Sequence, residues 1–196
     1  MRCRGLLIAF AALLLGACEK PPQAEIDAAA KAYENSATNP DVITYAPDSL
    51  RDAQAKLAAL RAEVDAQEKK GGLSRRYETA KTMAGEARTA AESAETEAVR
   101  SKEQARTDAT ILLAGFADSI SAFESKVWSA KRIRGIKIEA DILTLAQSAR
   151  TAVADADRDL AAGLYAAAKA KALTIQKQLA DGEARVSKAV RLARGR

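Results

Sequence analysis

The 196-residue chain contains no histidine. That absence removes the commonest general base, the commonest metal ligand and every Ser-His or Cys-His nucleophile pair. Cysteine is nearly absent too, with Cys3 and Cys18 the only two, so a disulfide framework or a thiolate metal site has little to be built from. Aromatics make up 4% of the chain and prolines number four. A β-sandwich or a doubly wound sheet needs runs of Val, Ile, Thr and aromatics with turn signals about every ten residues, and those runs are missing. No apolar stretch reaches the roughly 20 residues that a membrane-spanning helix requires. What is present is alanine: 47 residues, about a quarter of the chain. Alanine is the best helix former of the twenty, so the composition predicts an all-α protein.

The N-terminus reads as an address. Arg2 and Arg4 form a positive region, residues 5–15 a short apolar one, and Leu15-Gly16-Ala17-Cys18 follows. Such a segment is a processing signal and not a span. Its ending resembles the lipobox of bacterial lipoproteins, in which the cysteine thiol is diacylated and, after cleavage, the new amino terminus is acylated. The resemblance implies removal of residues 1–17 and a lipid-anchored Cys18. Loss of Arg2 and Arg4 takes the net charge from +5 to +3. Cys3 leaves and Cys18 is alkylated, so no free thiol remains. Each buried acyl CH₂ contributes about 0.8 kcal/mol and stable anchoring takes two chains, so a triacylated cysteine holds a protein on a membrane. Glu19 in place of Asp after the cysteine, by the same resemblance, favours the outer membrane.

Beyond the anchor, Pro21-Pro22 makes a stiff exit and residues 24–36 a short helix, broken by Thr38-Asn39-Pro40-Asp41; residues 42–46 read as an extended connector. Pro47 suits the first turn of a helix. From there Leu50, Ala53, Leu57, Leu60 and Val64 recur at alternating spacings of 3 and 4, the narrow seam of a coiled coil. Gly71-Gly72 is expected to end that helix through a left-handed turn, and Ser74 to cap the next. The following seam is almost entirely alanine (Tyr77, Ala80, Ala84, Ala87, Ala91, Ala94, Ala98, Ala105), and it fits only a helix that approaches closely. An antiparallel hairpin with the Leu-bearing helix meets that need.

Near Ala109 the seam broadens to Ile111, Leu112, Phe116, Ile120, Phe123, Val127, Trp128 and Ile133, with Gly115 as a bend. Residues 109–134, 137–162 and 164–194 then predict a three-helix bundle with short loops. The division expected is 1–17 signal, 18–46 anchor, short helix and linker, 47–108 hairpin, and 109–196 bundle sharing the long helix. The fold expected is an elongated, coiled-coil-like helical hairpin with an Ala seam continuing into that bundle. Tyr77-x-x-Ala80-Lys81-x-x-Ala84 matches Tyr165-x-x-Ala168-Lys169-x-x-Ala172, a faint internal repeat.

These elements together resemble a group of alanine-rich bacterial lipoproteins classed as a domain of unknown function. The likeness rests on Cys18, the Ala-rich residues 24–33, Tyr45-Ala46-Pro47, Leu50-x-x-Ala53-x-x-x-Leu57, Gly71-Gly72 and Tyr77-x-x-Ala80. It covers about residues 18–105 and implies an envelope lipoprotein with a helical hairpin and no reaction.

The candidate functional charges lie in two stretches. Lys126, Lys131, Arg132, Arg134 and Lys137 surround the loop after Trp128, and Arg185, Lys188, Arg191, Arg194 and Arg196 close the chain. A down-up-down bundle brings both to one tip, where positive potential would attract an anionic surface. The same bias is what helix C-termini favour on their own account. Trp128 reads either as a core filler or as an exposed interfacial anchor. Asp155, Asp157 and Asp159 lack the glycine and terminal Glu of a calcium loop, so neither a metal site nor a cofactor is expected. No carboxylate pair sits in a recognisable apolar pocket, so no enzyme is expected. A lipoprotein signal and a modest charge argue against nucleic acid. The expectation is therefore a structural or adaptor lipoprotein on the periplasmic face of the outer membrane. It is held through acylated Cys18 and presents Trp128, Lys131, Arg132, Arg134, Lys137, Arg191 and Arg194 to an anionic envelope component or an envelope protein. An amphipathic lipid-binding or envelope-stress sensing lipoprotein, with a soft hairpin that opens to expose Leu57, Leu60 and Val64, is the alternative.

Overall fold

The computed structural model describes residues 20–134 and 136–194, so the signal segment, Cys18, Gly135 and Arg196 lie outside the described residues. The elements are α1 (Gln23–Thr38), α2 (Pro40–Tyr45), α3 (Pro47–Glu68), a 3₁₀ turn (Gly72–Ser74), α4 (Glu78–Ala114), α5 (Phe116–Lys131), α6 (Ala140–Ala161) and α7 (Tyr165–Arg194). No strand occurs among the described residues, as the alanine content and the missing β-type runs predict. Two compact units are present, the first up to Ser101 and the second from Lys102. The division falls inside α4, ahead of the change in apolar pattern near Ala109.

In the first unit α3 and α4 form the antiparallel hairpin. Leu57 and Leu60 pack with Tyr77, Ala80, Ala84 and Ala87, Ala53 with Ala90 and Ala91, and Ala46 and Leu50 with Ala94 and Ala98. Rising numbers on one side meet falling numbers on the other. Ala80, Ala91 and Ala94 are fully buried, so the small seam is what allows the two helices to come together.

The segment before Pro47 is more than a linker. Ala29 of α1 joins the Leu57–Leu60 cluster, and Tyr33 packs on Ala53 and Ala90. Ser36 is fully buried, its hydroxyl 3.1 Å from the Ala91 carbonyl and 3.1 Å from Glu95 Oε1. Residues 42–46 are not extended either. The Asn39 side chain accepts from the Asp41 N–H at 2.9 Å and Pro40 stands at the first helical position, so a side-chain cap and a preset φ start a helix. That turn drives Val42, fully buried, against Ala94 and Ala98. Tertiary burial overrides the β preference of Val-Ile-Thr-Tyr.

The turn between α3 and α4 also departs from expectation. Gly71 has φ −60°, and Gly163 is the only residue with positive φ among those described. The end of α3 is closed by Arg75, which donates to the carbonyls of Glu68 (3.0 Å) and Lys70 (3.2 Å). Gln67 Oε1 accepts from the Arg76 N–H at 3.0 Å. Ser74 lies in the 3₁₀ turn and α4 begins at Glu78, so Ser74 is not its N-cap. Gly163, at φ +78°, closes α6 instead: its own N–H reaches Leu160 and that of Leu164 reaches Asp159, at 3.1 and 2.9 Å. That is the Schellman arrangement.

The stretch expected to bend at Gly115 is two helices, α4 ending at Ala114 and α5 starting at Phe116, interrupted at Gly115 itself (φ −84°, ψ −9°). The second unit packs α5, α6, α7 and the end of α4 around Phe116, Ile120, Phe123, Ile142, Ile175, Leu179 and Val186. Phe123 is fully buried. Gly182 marks a close approach, since a Cβ there would lie 2.6 Å from Leu145 Cδ2 and 2.9 Å from Phe123 Cε2. Ion pairs tie the helices at the surface. Arg150 forks onto Glu124 at 2.7 and 2.8 Å, and Lys169 reaches Asp108 at 2.7 Å. Hydrogen bonding to Arg150 holds the Glu124 carboxyl below its ordinary range, and hydrogen bonding to Lys169, then Gln104, does the same for Asp108. The Tyr-x-x-Ala-Lys repeat is equivalent only in its alanines: Ala80, Ala84, Ala168 and Ala172 are all buried. Tyr77 is buried and Lys81 exposed, whereas Tyr165 is half-buried under Arg106 and Lys169 forms an ion pair.

Candidate functional site: the basic end of the second unit

Helix α5 ends at Lys131, the loop to α6 carries Arg132, Arg134 and Lys137, and α7 ends at Arg194. The C-terminal turns of α5 and α7 lie side by side, and a groove of about 550 Å³ runs between them. Ala130, Ile133, Val186 and Val190 make it apolar, while Ser125, Ser129, Ser187, Lys126 and Arg194 make it polar. The two basic stretches therefore meet at one end, as the down-up-down order predicts.

Not every cation there is free. Lys126 pairs with Glu183 at 2.6 Å. Arg185 forks onto Asp141 at 2.7 and 3.1 Å and also pairs with Glu139, so its charge is spent holding the start of α6 to α7. Lys131, Arg132, Arg134, Lys137, Lys188, Arg191 and Arg194 are exposed. Among the described residues none of these seven has a carboxylate within ion-pair distance. Two helix C-termini meet here with partial negative charge, which makes cations welcome at that end.

Trp128 is no core filler. It is 64% exposed, one step past the buried Val127 on α5, and Lys131 Nζ lies 4.9 Å from its ring centroid. Leu192, in the last turn of α7, is 61% exposed. The apolar pattern alone does not distinguish Trp128 from its neighbours, because it falls at the edge of the broad stripe that α5 buries. The three aspartates of α6 do not converge. Asp155 pairs with Arg158, and Asp159 with Lys171 at 2.6 Å. Among the described residues no group of three acidic or thiol side chains is placed to hold a metal ion, and no helix is long and apolar enough to cross a membrane.

Fold and site together define an all-α chain of two helical units, with an unneutralised cationic cluster and an exposed tryptophan at one end of the second. Comparison with family models, curated proteins and solved structures finds no match to this chain.

Proposed function

We propose that this chain is a lipid-anchored envelope protein of structural or adaptor type, held through acylated Cys18 and acting without catalysis. It presents the basic end of its second unit to an anionic envelope component. The observation that carries the reading is the meeting of Lys131, Arg132, Arg134, Lys137, Arg191 and Arg194 at one end without carboxylate partners among the described residues. These cations repel one another, and an anionic surface set against them relieves that repulsion. The Leu15-Gly16-Ala17-Cys18 ending supports the anchor, and Glu19 supports the outer membrane as its destination. The resemblance to alanine-rich lipoproteins belongs to the same reading.

Metabolic labelling with an alkynyl fatty acid tests the anchor. The wild-type chain is expected to take up label and to fractionate with membranes, and Cys18→Ala to do neither. An unlabelled wild-type chain would overturn the proposal.

A further inference from the structure

We infer that the basic end docks on the phosphate-bearing surface of an anionic phospholipid bilayer, with Trp128 and Leu192 entering the headgroup layer. This rests on the reading of that end as the presenting surface and names what it meets.

Three observations favour a bilayer over an acidic protein. The first is how the charge is distributed. The cations sit on α5, on the loop and on α7 as separate exposed side chains, and after Glu183 the remaining described part of α7 carries Arg185, Lys188, Arg191 and Arg194 with no acidic residue. A diffuse field of phosphates suits such a spread, since each Lys or Arg near an anionic leaflet contributes about 1 kcal/mol.

The second is the pair of large apolar side chains that the fold leaves in water. Trp128 and Leu192 are 64% and 61% exposed, each on one of the two helices, α5 and α7, that bring the cations together. Tryptophan is enriched where membrane meets water, because its ring is apolar and its N–H is polar. A basic helical surface with Trp and Leu beside the cations is the pattern of interfacial binding.

The third is the stacking of Lys131 on Trp128. It holds the indole beside a charge in water without neutralising that charge, so ring and ammonium reach the surface as one group.

Trp128 is the only tryptophan in the chain, so its fluorescence reports this end alone, whatever else tethers the protein. The full chain is reconstituted with vesicles of phosphatidylglycerol or of phosphatidylcholine, and emission and quenching by brominated acyl chains are read. Phosphatidylglycerol is expected to shift emission to shorter wavelength and to allow quenching; added salt is expected to reverse both, and phosphatidylcholine to produce neither. The double variant Arg132→Gln/Arg191→Gln, both positions exposed and unpaired among the described residues, is expected to weaken the engagement about 25-fold, at about fivefold per cation. A Trp128 signal that is silent on both lipids overturns the inference. So does an equal response to both lipids, or a shift produced equally by a soluble polyphosphate and never quenched by bromolipid. If Trp128 is silent while the chain still floats with the vesicles, only the docking surface falls and the anchor stands.

Discussion

Among the described residues two glycines stand in helix interiors, and the structure assigns opposite signs to the same substitution at each. Glycine costs about 1 kcal/mol relative to alanine in a helix interior. At Gly85, in α4, a Cβ would meet nothing within 4 Å. Gly85→Ala is therefore expected to stabilise the protein by about 1 kcal/mol. At Gly182, in α7, the Cβ would sit 2.6 Å from Leu145 Cδ2 and 2.9 and 3.2 Å from two atoms of the Phe123 ring. Leu145 is half-buried and its end can turn aside, but Phe123 is fully buried and its ring can move only by displacing the core. Overpacking of this kind costs about 1–3 kcal/mol. Less the propensity gain, Gly182→Ala is expected to lose up to about 2 kcal/mol, and Gly182→Val more. Urea unfolding followed by helical circular dichroism reads both variants, and Trp128 fluorescence follows the second unit, which holds Gly182. In a Leu145→Ala background, Gly182→Ala should cost less than it does in the wild type, because one of the two obstructions is gone. If Gly182→Ala stabilised the protein as much as Gly85→Ala does, the close packing of α7 on α5 and α6 would be refuted.

Other consequences are as direct. Ser36→Ala removes the buried hydroxyl that links α1 to the Ala91 carbonyl and should cost about 1 kcal/mol by thermal or urea unfolding; Ser36→Val should cost more, because it adds bulk at a fully buried position. Phe123→Ala, in the middle of the second core, should cost about 3–5 kcal/mol. Amide exchange should be faster along residues 78–100 than along α5 and the middle of α7, since each alanine methyl offers far less burial than Phe, Ile or Leu. Acid should weaken the ion pairs of the second unit. The Asp108 and Glu124 carboxyls are held below their ordinary values of 3.8 and 4.5, so their stabilisation is present above those values and is lost as pH falls through the lower, folded-state ones. Asp108→Asn and Glu124→Gln should therefore lower the unfolding midpoint at neutral pH and leave it equal to wild type in strong acid.

The seams are legible because helices announce themselves by spacing. Leu57 and Leu60 stand opposite the alanines that the hairpin reading pairs with them, and Gly115 and Gly163 lie at real interruptions. The meeting of Lys131, Arg132, Arg134 and Lys137 with Arg191 and Arg194 follows from helix order alone. What spacing does not carry is how a short segment is used. Val42 reads as strand by propensity, and the Asn39 cap, Pro40 and the burial of Val42 against Ala94 and Ala98 together make Pro40–Tyr45 a helix. Ser36 shows no sign in sequence that α1 belongs to the core. The end of α3 escapes a glycine-based reading because Arg75, rather than either glycine, supplies the closure. Within the basic end, sequence does not tell spent charge from free charge. Arg185 differs from Arg191 only in facing Asp141 and Glu139 across the bundle.

Photo-crosslinking in living cells from position 131, where exposed Lys131 stands beside Trp128, tests the central claim most directly. Discrete adducts are expected at this position, with anionic phospholipid as the adduct mass, and they should disappear when Arg132 and Arg191 are replaced by Gln. Expression at normal level with no adduct above that of an exposed position on α1 would contradict it.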